Sequence, residues 1–123
     1  MANILIVDDA QDIRANLKKI LEKENHAIFE ADNGYDCLKI IHNNNIDLVI
    51  LDIFMPEKGG IDTLMEIKSL DIKKIIITGM PLSESDAFYN LISHYGAQKI
   101  LFKPFKKVEL LSSVAEAMSS KEE

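Results

Sequence analysis

The residues with the clearest chemical potential are Asp8 and Asp9, Asp52, Thr78 and Lys103. Each ends or directly follows a short apolar run: Asn3-Ile4-Leu5-Ile6-Val7, Leu48-Val49-Ile50-Leu51, Lys74-Ile75-Ile76-Ile77, and 98–102. If these runs are strands of one sheet, their polar ends meet along one edge of it. Two like charges about 4 Å apart repel by roughly 4 kcal/mol at an effective dielectric of 20. Three carboxylates gathered there must protonate, pair or bind a cation. Lys103 supplies one positive charge and leaves a negative surplus. A hard divalent ion with oxygen ligands, Mg²⁺ or Mn²⁺, completes the balance. The same set suits phosphoryl transfer. A carboxylate such as Asp52 can act as nucleophile and become an aspartyl-phosphate, while metal, hydroxyl and ammonium stabilise the equatorial oxygens.

Taken singly, each residue has a plain structural use: aspartate suits turns and helix starts, threonine caps, lysine snorkels. Four of them at four successive strand ends make coincidence improbable. No His/Cys cluster points to zinc. His26, His42 and His94 lie far apart on helices and loops and read as surface or packing residues.

The elements that must position these groups can be read from periodicity. The run ending at Asp52 does not alternate, so it is a strand covered on both faces, as in a parallel sheet flanked by helices. Pro56 prevents the strand from continuing. Helical spacing follows the first strand at Ile13, Leu17, Ile20 and Leu21. A shorter edge strand spans 27–31, and Asn33-Gly34 turns the chain into a helix with Leu38 and Ile41 inward, ended by Asn43-Asn44-Asn45. After the Asp52 strand, 57–60 is a loop, and Ile61, Leu64 and Met65 begin another helix. The fourth strand stops at Thr78-Gly79. Ser83 and Asp86 form a capping-box-like start to a helix with an apolar stripe of Phe88, Leu91, Ile92 and Tyr95. A last helix after Lys103-Pro104 is expected to bury Leu111, Val114, Ala115 and Met118. Five strand–helix units in alternation predict a doubly wound α/β fold with strand order 2-1-3-4-5, a flavodoxin-like three-layer sandwich. Ligands in such folds bind outside the carboxyl ends of the strands.

Composition sets the class. The 123 residues suit one domain, with a core over 3–118 and a frayed tail over 119–123. With 47% hydrophobic and 28% charged residues, the balance is that of an ordinary globular domain. A net charge of −6, with the acid concentrated in the first half, argues against a nucleic-acid surface. Cys37 is the single cysteine, so no internal disulfide is possible and a reducing cytoplasm is the expected location. Apolar runs fall far short of a membrane span, and Met1 leads straight into a strand without a signal peptide.

With these residues in view, the sequence resembles a receiver domain of the two-component response regulators from Asn3 to Met118. The resemblance is carried by Val7-Asp8-Asp9, Asp52 with Met55-Pro56 and Gly60, Thr78-Gly79, Gly96-Ala97 and Lys103-Pro104-Phe105. It implies a signalling domain and not a conventional enzyme, phosphorylated on Asp52 by the phospho-histidine of a sensor histidine kinase. It also implies Asp9, Asp52 and the Phe54 carbonyl as direct Mg²⁺ ligands, with Asp8 acting through water. Thr78 would bond a phosphoryl oxygen and Lys103 would pair with Asp52 or its phosphate. In the family the Lys-Pro bond is often cis.

Three positions depart from the best-known members. Ile100 stands in place of a switching aromatic, and Phe54 and Met80 stand where many relatives carry polar groups. Two rivals share parts of the pattern. A flavodoxin-type FMN carrier needs a Ser/Thr/Gly-rich phosphate loop after strand one, where this chain has Asp8-Asp9-Ala10-Gln11-Asp12. A haloacid-dehalogenase-type phosphatase needs Asp-x-Asp, and here the aspartates are adjacent and no cap domain follows. With no output domain after Met118, the chain is expected either to dock a protein target or to be the receiver of a longer protein.

Overall fold

The computed structural model describes residues 1–55, 57–79 and 87–119, apart from the Phe88 side chain. The expectations for Pro56, for Met80, for the Ser83–Asp86 helix start and for residues 120–123 lie outside the described residues. Five strands, β1 (Asn3–Val7), β2 (Ala27–Ala31), β3 (Leu48–Asp52), β4 (Lys73–Thr78) and β5 (Lys99–Phe102), form one parallel sheet in the order β2-β1-β3-β4-β5. Between and after them run α1 (Gln11–Glu22), α2 (Gly34–Asn43), α3 (Gly60–Ile67), α4 (Ala87–His94) and α5 (Lys107–Ser119).

The unbroken apolar runs are explained by two cores, one on each face. Alternate residues of the strands point opposite ways. Ile4, Ile6, Ile50, Ile75 and Ile77 pack with Leu17 and Leu21 of α1 and with Leu110, Val114 and Ala117 of α5. Their neighbours Leu5, Val7, Val49, Leu51 and Ile76 pack with Cys37, Leu64, Ile67 and Ile92 of α2, α3 and α4. Burial pushes the Cys37 thiol up to about 12, so it behaves as a small core residue. No helix among the described residues is long and apolar enough to cross a membrane.

Several helix faces differ from the expected ones. In α5 the inward stripe is Leu110, Ser113, Val114 and Ala117, while Ala115 is exposed and Leu111 and Met118 are half-buried. The apolar pairs Leu110-Leu111 and Ala117-Met118 offer two overlapping stripes, and docking against β4 and β5 selects the earlier one. In α2 it is Gly34 and Cys37 that are fully covered, with Leu38 and Ile41 at the margin. Met65 and Leu91 are largely exposed. The last helix runs through Ser119, one residue into the expected tail.

Register fixes what meets at the carboxyl edge. Val7 lies beside Leu51, Asp52 beside Ile77, and Thr78 beside Phe102. The residues that end or follow β1, β3, β4 and β5 are therefore level with one another.

Candidate phosphoacceptor and metal site

Asp8, Asp9 and Asp52 each place a carboxylate oxygen within 4.8 Å of the others. Asp8 and Asp52 are buried, whereas Asp9 is exposed at the mouth. Lys103 Nζ donates to Asp8 Oδ2 at 2.9 Å and to Asp52 Oδ2 at 3.4 Å. The shorter of its two ion pairs is with Asp8 and the longer with Asp52. The Lys103-Pro104 peptide is cis. Lys103 is also tied to its neighbour strand, its N–H donating to the Thr78 carbonyl at 2.7 Å. Thr78 is fully buried at the end of β4.

The loop after Asp52 is held from both ends. Asp52 Oδ1 accepts the Phe54 N–H at 3.1 Å, and the Gly60 N–H donates to the Ile53 carbonyl at 3.2 Å. A Cβ at Gly60 would collide with the backbone of Asp52 and Ile53, so only glycine lets the loop close this tightly. Further along, the Lys58 carbonyl accepts the Gly34 N–H at 3.2 Å. The Lys58 ammonium pairs with Glu66 and lies 5.5 Å from the centre of the Tyr35 ring. Phe54 projects from this loop at 43% exposure. Ile100 is half-buried against the core on the α2–α4 face.

The electrostatics match a site under charge strain. Burial raises the affinity of Asp52 for a proton; the Phe54 N–H opposes this, Asp8 adds to it, and Lys103 opposes it, with a net upward shift. Burial alone would lower the Lys103 pKa, but its hydrogen bond to Asp8 and the charges of both aspartates outweigh it and the net shift is upward. Three carboxylates facing one ammonium fit a divalent cation with hard oxygen ligands, as the charge count required.

The structure thus brings together Asp8, Asp9, Asp52 and Lys103, and it places Thr78 beside them at the end of β4, joined to Lys103 through its carbonyl. Arg14 was passed over: its Nη1 donates to the Asp8 carbonyl at 2.8 Å. Its partner is a main-chain carbonyl, which leaves no signature in the sequence.

The model of the response regulator receiver domain matches residues 4–115. The chain belongs to that family. It is 30% identical over 117 residues to the chemotaxis protein CheY of Halobacterium salinarum, covering 95% of this chain and 97% of that one. Similarity to the transcriptional regulatory protein CpxR of Klebsiella pneumoniae is 34% over 114 residues, or 93% of this chain and 48% of CpxR. The receiver therefore spans about half the length of that relative and nearly all of CheY. Among solved structures, the response regulator TrrA of Thermotoga maritima, in complex with Mg(2+)-BeF, superposes with a TM-score of 0.82 at 38% identity, over 95% of this chain and 99% of TrrA. As a receiver domain the chain is a phosphorelay signalling component and not a conventional enzyme, and its acidic cluster is of the kind that accepts phosphate on aspartate.

Proposed function

We propose that Asp52 accepts a phosphoryl group from the phospho-histidine of a sensor histidine kinase and that the whole chain, 1–123, acts as a single receiver. The observation that carries this reading is the buried Asp8–Asp52 pair, with Asp9 at the mouth and one ammonium between the two buried carboxylates. Asp9, Asp52 and the Phe54 carbonyl are assigned as direct Mg²⁺ ligands, with Asp8 acting through water. When bound, the cation supplies charge neutralisation of the phosphoryl oxygens.

The chain's own residues do the rest. An Asp52 carboxylate oxygen attacks phosphorus as the phosphorus–nitrogen bond to histidine breaks, and the imidazole leaves with that electron pair. Lys103, already between Asp8 and Asp52, is placed to follow charge onto the new phosphate. Thr78 donates its hydroxyl to a phosphoryl oxygen, which shifts the end of β4 and alters the α4–β5–α5 face presented to a protein target or output domain. Ile100 has no hydroxyl or aromatic ring, so its response is one of packing. By resemblance alone, Phe54 and Met80 are the positions that border the path of the hydrolytic water, and neither residue type can orient it by a strong hydrogen bond. The aspartyl-phosphate is accordingly long-lived.

Incubation with acetyl phosphate and Mg²⁺ tests the assignment by intact mass. The wild type gains one phosphoryl group. Thr78→Ala should be phosphorylated yet show smaller amide shifts in α4 and β5. Phe54→Asn should shorten the phosphate lifetime by roughly tenfold or more, since groups that orient or deprotonate water contribute on the order of 10²–10⁴-fold. Equal lifetimes would remove the shielding role of Phe54 but leave the acceptor assignment intact.

A further inference from the structure

Beside the Lys103 ion pair, three interactions fix the turn that carries Asp8 and Asp9. Asp8 N–H donates to the Ala31 carbonyl at 3.2 Å, continuing the ladder to β2. Asp8 Oδ1 accepts the Ala10 N–H at 2.9 Å, a local turn contact. The third is of a different kind. Arg14 reaches back from α1, and its Nη1 donates to the Asp8 main-chain carbonyl at 2.8 Å. The same guanidinium donates through Nε to Glu30 Oε1 at 3.1 Å, on the edge strand β2. Only 16% of the Arg14 side chain is exposed, and Lys18 holds the other Glu30 oxygen at 3.6 Å. One planar fork therefore spans the aspartate turn and the neighbouring strand, a geometry that lysine cannot reproduce.

On charge alone this placement is unfavourable to a cation site. A guanidinium beside a cluster that is to hold a divalent ion repels that ion. Its presence there, mostly buried and bonded to a carbonyl, calls for a benefit other than charge. The Asp8 carbonyl lies in the backbone link between the fully buried Asp8 carboxylate and the exposed Asp9 carboxylate, and fixing it fixes the separation of the two. We infer that Arg14, anchored by Glu30, is a positioning residue that holds the Asp8–Asp9 turn at the spacing the carboxylate cluster needs for a divalent cation. This rests on the metal-site assignment made under the proposed function.

The two possible roles of Arg14 predict opposite signs. If it mattered only through charge, neutralising it would tighten Mg²⁺ binding. As a positioning residue, its loss weakens binding. The experiment is calorimetric titration of Mg²⁺ into the full chain, for the wild type, Arg14→Gln, Arg14→Lys and Glu30→Gln, with amide spectra of each in the metal-free state. The expected result is binding weakened by about tenfold in both Arg14 variants, the lower end of the range for groups that orient metal ligands, and in the same direction but less in Glu30→Gln. The Ala10 amide should shift in the metal-free spectra of the Arg14 variants, since the turn itself relaxes. Should Arg14→Gln fail to fold, Arg14→Lys still reads the effect, since it keeps the charge and loses the fork. Unchanged or tighter Mg²⁺ binding in the folded variants overturns the inference, as does an Arg14→Lys protein that binds like the wild type. A wild-type chain that binds no Mg²⁺ overturns the metal assignment itself, and the inference with it.

Discussion

The two ends of the sheet both bury polar groups, and they treat them in opposite ways. At the amino end, buried Lys74, half-buried Asp47 and His26, and exposed Gln98 all bond to the main chain. Lys74, 4% exposed, donates through Nζ to the carbonyls of Ile72 at 2.7 Å and Leu70 at 3.3 Å. Asp47 Oδ2 accepts the Asn3 N–H at 2.8 Å, His26 Nδ1 accepts the Ala2 N–H at 3.0 Å, and Gln98 Oε1 accepts the Lys74 N–H at 2.6 Å. At the carboxyl end, side-chain charges face one another: two buried aspartates and an exposed one around one lysine. Burial by itself does not mark a functional site. What separates the two ends is whether the charge is closed off by the backbone or left in surplus, ready for a ligand.

The comparison can be broken most forcefully at Asp52. Asp52→Asn should abolish phosphorylation by acetyl phosphate, with no loss of stability by urea unfolding in EDTA. Phosphate retained on this variant would remove Asp52 from the role. The stability expectation follows from the sign of the shift. The folded-state pKa of Asp52 lies above its unfolded value, so without metal its ionisation opposes folding near neutrality, and that penalty fades as pH falls through the folded pKa towards the ordinary carboxylate range. The asparagine variant lacks that pH dependence.

Lys74 gives the reverse pattern. Lys74→Ala removes a buried donor from two carbonyls and should lower unfolding free energy by about 2–4 kcal/mol. The rate of phosphorylation per folded molecule should stay unchanged. A loss of that rate with stability intact would place Lys74 in the functional apparatus and dissolve the contrast. A smaller version is Asp47→Ala, which removes the acceptor for the Asn3 N–H at the start of β1 and should cost about 1–2 kcal/mol by the same measurement. The smallest effect belongs to His26. Burial, followed by the N-terminal charge, lowers its pKa, with Glu24 opposing. A histidine with a depressed folded pKa favours the folded state while neutral, and this is lost as pH falls below about 6.5 through the folded pKa. His26→Gln should remove that slope when measured in the Asp52→Asn background, where the larger carboxylate effect is absent.

The carboxyl-end group was readable in the sequence because every member terminates or follows a run too apolar to be anything but a covered strand. Strand order came with it: alternation of strands and helices leaves few topologies, and β1 and β2 have the expected residues. What could not be read depends on direction in three dimensions. The inward face of α5 was ambiguous between two stripes one residue apart. Lys74 opens an Ile75-Ile76-Ile77 run and reads as an ordinary strand boundary, since its closure comes from carbonyls in the turn after α3. Arg14 was invisible for a similar reason. Its partner is a main-chain carbonyl, and any residue at position 8 would present one. The preference of Lys103 for Asp8 over Asp52 is a difference of half an ångström that spacing cannot encode.

Lys103 and Asp8 are separated by 95 residues in the chain, and their contact also carries a consequence for synthesis. A nascent polypeptide emerges from its amino end, so β1, β2 and β3 leave the ribosome with their aspartates well before β5 is made. Until Lys103 arrives, Asp8 and Asp52 have no ammonium between them, and their mutual repulsion disfavours a closed carboxyl edge. Competence to take up phosphate then waits for β5 and Lys103 to be made. A nascent chain that stops short of β5 holds its acidic edge open.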